Sequence, residues 1–190
     1  LPKFASLIFL FRIYHELNIS KIVSLYYIFQ IVCAISLLVG VYGAITQKII
    51  KRLLAFSSIN HIGFMLLAIM SYQYMSEGTI FFYLIIYLIT TFGVFSVILN
   101  LRTSEGEITL LTGLNGLKAS SRSKAISMLV FLFSLAGIPP FAGFFAKFFI
   151  LSASINEGFY ILSIIAVISS VIAAFYLSLI HISEPTRPID

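Results

Sequence analysis

The chain has 190 residues, of which 60% are hydrophobic and only 10% charged, with a net charge of +5; its mean hydropathy is +1.07. Ordinary globular chains are about 45–50% apolar and about 25% charged, so this composition excludes a water-soluble domain and makes lipid the solvent for most of the surface. The positive balance is not a nucleic-acid signal here; what matters is where Lys and Arg sit along the chain. The single cysteine, Cys33, lies in an apolar run, and no CxxC pair offers a zinc or iron–sulfur site. The sequence opens on Leu1 with no basic stretch before the first apolar run, so the expectation is no signal peptide and a piece of a longer protein.

A membrane-crossing helix needs roughly 20 apolar residues. Reading between charges predicts six segments: Leu1 to about Tyr14, short; about Ile22 to Thr46; Leu53 to Tyr72; Gly78 to Leu101; Ala125 to about Ser154; and about Phe159 to Ile180. The fold class is all-α, a polytopic transmembrane helix bundle. None of the runs has the alternating period of a membrane barrel. Tyr26, Tyr27, Tyr72, Tyr74 and Tyr160 fall near segment ends and read as interfacial anchors.

The connections alternate in charge. Lys48, Lys51, Arg52, Arg102, Lys118, Arg122 and Lys124 fall on one face, against Arg12 and Lys21 on the other. This bias places the basic loops on the cytoplasmic or matrix side. Thr103 to Ser123 is the one long polar connection.

The fifth segment carries Gly137-Ile138-Pro139-Pro140-Phe141-Ala142-Gly143 in its middle. Two prolines remove two helix donors and clash with the preceding turn, and the flanking glycines let the backbone leave helical geometry. We read one broken helix near Gly137–Gly143; the alternative is a simple proline kink. A break at membrane depth is tolerated where it is buried in protein or lines a wet cavity.

Three ionisable residues lie deep. Lys147 precedes Glu157 by ten residues, roughly 15 Å from that interface. Lys3 precedes Arg12 by nine residues and His61 follows Arg52 by nine, each roughly 13–14 Å in. An intramembrane charge is a functional hypothesis by default. The bland alternatives are a snorkelling lysine for Lys147, a terminal charge for Lys3, and for His61 a ring satisfied by Ser57, Ser58 or a carbonyl. No phosphate loop, nucleophile elbow or metal-ligand cluster is present.

The stretch Lys51-Arg52-Leu53-Leu54-Ala55-Phe56-Ser57-Ser58-Ile59-Asn60-His61-Ile62-Gly63 and the stretch Ser134 to Phe148 resemble motifs of the antiporter-like membrane subunits of respiratory complex I. The opening Leu1-Pro2-Lys3 and the short spacing fit the subunit N branch of that family. The resemblance runs to about Tyr176 and implies helices eight to thirteen of a fourteen-helix subunit. It implies that Lys3, His61 and Lys147 belong to a proton relay along a mid-membrane polar axis, with internal water. It implies other membrane-arm subunits and the lipid bilayer as partners, no nucleic acid, and a bacterial plasma membrane or mitochondrial inner membrane. It also implies no cofactor and no metal in this chain, with NAD, FMN, iron–sulfur clusters and quinone held by other subunits. The expected function is a proton-translocating subunit of NADH:quinone oxidoreductase, an enzyme whose redox centres lie elsewhere. The alternatives are a cation/proton antiporter subunit and a purely structural membrane subunit. The transmembrane domain is expected over residues 1–176. Residues 177–190 depart from the family and resemble a translated sequencing adapter, so a non-native tail is expected there.

Overall fold

The computed structural model describes residues 2–17, 22–100, 102–103, 106–107 and 122–182, with side chains for 4–17, 22–100 and 123–178. Most of the predicted connection Thr103 to Ser123, including Lys118, and residues 183–190 of the expected tail lie outside the described residues, as do the side chains of Lys3 and Arg122.

Among the described residues seven α-helices follow in chain order: α1 (Pro2–Glu16), α2 (Val23–Ile45), α3 (Ile50–Met70), α4 (Glu77–Leu99), α5 (Arg122–Ala136), α6 (Ala142–Asn156) and α7 (Tyr160–Ile182). A 3-10 turn over Tyr72–Tyr74 leads from α3 into α4. A two-residue antiparallel ladder pairs Arg102 with Glu107 and Thr103 with Gly106. It is the only strand pairing among the described residues and lies outside the helices.

By length and composition α2, α3, α4 and α7 can each cross a membrane, and α5 and α6 are shorter apolar halves. The predicted fifth segment is therefore two helices. The non-helical stretch runs from Gly137 to Phe141 and is shorter than anticipated, because Gly143 already lies inside α6.

Local chemistry sets the helix ends. Ser76 caps α4 by accepting from the Thr79 amide at 3.3 Å, and Glu77 sits in the first turn, where the helix dipole favours an anion. At the other end Lys124 Nζ donates to the Asn100 carbonyl at 2.9 Å, supplying a partner that the helix ladder lacks there.

α3 is the central helix and packs against α1, α2, α4, α6 and α7. Phe64 through Met70 are all buried, as expected of a helix apolar all round and enclosed by neighbours. The closest pairing is α2 with α3. Lipid is as apolar as the side chains, so helix association depends on close packing rather than on escape from water. Gly40 supplies it: a β-carbon there would collide with the main chain of Asn60. The outer helices keep apolar faces exposed. On α7, Ile161, Ile164, Ile168, Val171 and Phe175 form an exposed apolar stripe at helical spacing, the kind of face that a membrane helix offers to lipid or to a neighbouring helix. Tyr27, Tyr74 and Tyr160 are exposed near helix ends, as interfacial rings require.

Candidate functional site

The break after α5 creates the site. Gly137 adopts φ +82. Its amide donates to Ser134 O at 3.1 Å and the Ile138 amide reaches back to Phe133 O at 3.1 Å, the paired pattern of a Schellman C-cap. In a continued helix the Ala136 carbonyl would accept from residue 140, but Pro140 has no N–H. That carbonyl is left available and accepts from Lys147 Nζ at 2.9 Å and from Ser170 Oγ at 3.3 Å.

Lys147 reaches it from the second turn of α6. Side chains lean toward a helix's N-terminus, so the lysine extends back to the break and not outward to lipid. It is 3% exposed, and its ammonium also donates to Ser170 Oγ on α7 at 3.2 Å and lies 4.9 Å above the Phe64 ring of α3. A cation at the C-terminal carbonyls of α5 is favoured by that helix's dipole. Ser134 Oγ meanwhile accepts from the Gly143 amide at 3.3 Å, satisfying one of the orphan donors that open α6.

His61 projects from α3 toward α4. Its Nδ1 is 2.8 Å from the Tyr83 hydroxyl, and its ring lies 4.6 Å from that of Tyr87. Its partner is thus a tyrosine from another helix rather than Ser57 or Ser58; Ser58 Oγ donates to Ala55 O at 2.6 Å. A small cavity of about 10 Å³, lined by His61, Tyr83, Tyr87, Ser134, Gly143 and Lys147, connects the histidine and the lysine. That volume matches the centre of about one water molecule. A larger cavity of about 410 Å³ runs from Lys51, in the first turn of α3, to His61, and is lined on the way by Ser57, Ser58, Tyr87 and Thr91.

Of the three residues anticipated from sequence, His61 and Lys147 are brought together. The backbone of Lys3 lies in the first turn of α1. The next residue, Phe4, packs on Tyr87 at 5.6 Å and lines the larger cavity, so this end of α1 reaches the level of His61. Sequence reasoning missed Tyr83, Tyr87, Ser134 and Ser170. Their signal was available: polar hydroxyls at mid-span, Tyr83 and Tyr87 one turn apart on α4. Among the described residues no three His, Cys, Asp or Glu side chains come together in a metal-binding group.

A bundle of apolar helices with a broken helix that presents a carbonyl to a buried lysine defines an integral membrane protein. The family described as NADH:quinone oxidoreductase/Mrp antiporter, TM, matches residues 1–173, and the chain belongs to it. The chain is 40% identical over 164 residues to NADH-quinone oxidoreductase subunit N of Rhodospirillum rubrum, covering 84% of this chain and 34% of that protein. To subunit N of Wolbachia sp. subsp. Brugia malayi it is 41% identical over 160 residues, covering 84% and 34%. Among solved structures, a chain of respiratory complex I from Thermus thermophilus matches with TM-score 0.74 and 30% identity, over 86% of this chain and 37% of that one. A chain of the Mrp complex from Dietzia sp. DQ12-45-1b matches with TM-score 0.72 and 27% identity, over 87% and 31%. The chain spans about a third of the length of the curated relatives it matches.

Proposed function

We propose that this chain is part of a proton-translocating membrane-arm subunit of a proton-pumping NADH:quinone oxidoreductase. Lys3, His61 and Lys147 carry the relay. The observation that carries the reading is Lys147, a charge held on the freed carbonyl of a broken helix and linked by a water-sized cavity to His61. Burial makes the charged form of an amine costly, and a neighbouring charge changes that cost again, so such a lysine takes up and releases a proton as its surroundings change. His61, paired with a hydroxyl that both donates and accepts, passes protons along the same level. The larger cavity, with Ser57, Ser58 and Thr91 as its polar points, is the approach for protons from the Lys51 end.

The basic loops face the cytoplasm or matrix of a bacterial plasma membrane or mitochondrial inner membrane. The partners are the other membrane-arm subunits, the bilayer, protons and internal water. NAD, FMN, iron–sulfur clusters and quinone belong to other subunits, and this chain holds no redox centre of its own. The test is Lys147→Met in the full-length subunit within its assembled complex. Assembly should persist and the protons pumped per electron should fall; an unchanged ratio refutes the role. The likeness to the Mrp complex supports a second reading, a cation/proton antiporter subunit. A sodium gradient driving proton exchange without NADH would favour it.

A further inference from the structure

Below Lys147, on the face opposite the basic loops, lies a set of polar groups that the relay does not use. Ser154 follows Lys147 by two turns of α6, and Ser163 precedes Ser170 by two turns of α7. The two helices run antiparallel, so the serines meet, Oγ to Oγ at 2.6 Å. Ser154 also donates to Leu151 O at 2.9 Å and Ser163 to Phe159 O at 2.8 Å. Two hydroxyls carry two protons, yet three contacts call for a donor, so one hydroxyl must always turn away from a carbonyl. Such a pair passes a proton by rotating. Three residues beyond Ser154, on the same side of the helix, stands Glu157, whose Oε2 is buried with no hydrogen-bond partner. Tyr14 of α1 and Tyr26 of α2 lie within electrostatic range of its carboxyl, and the Tyr14 hydroxyl is likewise buried and unpartnered.

Between Lys147 and the serine pair stand Ile150 and Ala166, both wholly buried. Seven residues of helix span roughly 10 Å, far more than one hydrogen bond of about 3 Å bridges. The column is therefore polar at both ends and dry in the middle.

We propose that Glu157 is the terminal proton acceptor on the face opposite the basic loops, reached from Lys147 through the Ser154–Ser163 pair, with Ile150 and Ala166 as the apolar plug that keeps the route closed. This rests on the proton-translocation reading. When water enters the plug, one N–H bond of the Lys147 ammonium breaks and the proton hops by water and the serine hydroxyls, each hop making one O–H bond as another breaks. It ends on the Glu157 carboxylate. Lys147 is left as a neutral amine, the carboxylic acid then releases its proton to water, and no electron moves.

The experiment uses the full-length subunit in its assembled complex, reconstituted in vesicles. Ile150→Ser should hydrate the plug and speed the passive decay of an imposed pH gradient several-fold; Ile150→Thr, nearer in shape, serves if the serine variant fails to assemble. Adding Glu157→Gln should return that leak toward the wild-type rate, and Glu157→Gln alone should lower the protons pumped per electron. A leak equally fast in the double variant overturns the route. Lys147→Met separates the two ideas. If it pumps normally, the relay reading itself fails; if it is impaired while Glu157→Gln pumps normally, only the route through Glu157 fails.

Discussion

Gly137→Ala perturbs the site in two separable ways. The first is the backbone: an L-residue in the left-handed region costs about 1–2 kcal/mol, and Gly137 sits at φ +82. The second is the lysine. A β-carbon on Gly137 would lie 2.8 Å from Lys147 Cδ and 3.4 Å from its Nζ, so the side chain must move. That movement weakens the bonds from Nζ to Ala136 O and Ser170 Oγ, and a hydrogen bond from a charged group contributes about 1.5–3 kcal/mol. The sum is about 2–4 kcal/mol, the lysine's share being a partial loss. Gly158→Ala is the control, because Gly158 has φ +90 and nothing within 4 Å of a new β-carbon, which leaves the backbone cost alone. Gly137→Asn is the converse control: asparagine tolerates the left-handed region but keeps the β-carbon clash. Thermal unfolding of the purified full-length subunit in detergent should rank wild type above Gly158→Ala and Gly158→Ala above Gly137→Ala. Gly137→Asn should regain part of the stability, but the assembled complex that carries it should not regain proton pumping. Equal destabilisation by the two alanines, or full pumping by Gly137→Asn, would refute the claim that Gly137 is glycine because Lys147 occupies the space beside it.

Tyr83→Phe leaves His61 Nδ1 without its partner and should cost about 1–3 kcal/mol in denaturant unfolding, with the relay slowed; no loss of stability would mean that water replaces the hydroxyl. Gly40→Ala forces α2 away from Asn60 and should cost about 1–3 kcal/mol, read as a lower melting temperature, whereas Gly78→Ala, whose nearest contact is 3.7 Å, should be far milder. Burial raises the Glu157 carboxyl above its ordinary value of 4.5, so the folded state holds this proton more tightly than the unfolded one. Stability should therefore fall as pH rises from about 4.5 through the raised folded value, and Glu157→Gln should flatten that slope in a melting series across pH.

What the residues determine alone follows from composition and local chemistry. Sixty per cent apolar residues in long runs cannot build a water-soluble surface, so the membrane helices were legible before any coordinates, whereas which face of each stays exposed was not. Pro139 and Pro140 lack amides whatever surrounds them, which is why the break in the fifth segment could be read from the sequence, although its end at Phe141 rather than Gly143 could not. The depth expected of His61 and Lys147 came from counting helical rise, a property of one chain segment at a time. Which groups meet at that depth is a relation between helices, and helical rise does not carry it. Tertiary packing decided that Ala136's freed carbonyl faces α6, that Ser170 of α7 completes the lysine's shell, and that His61 turns to Tyr83 instead of its own helix's serines. The same holds for Ser154 and Ser163, nine residues apart in sequence, which touch only because the turn through Glu157 and Gly158 reverses α6 onto α7.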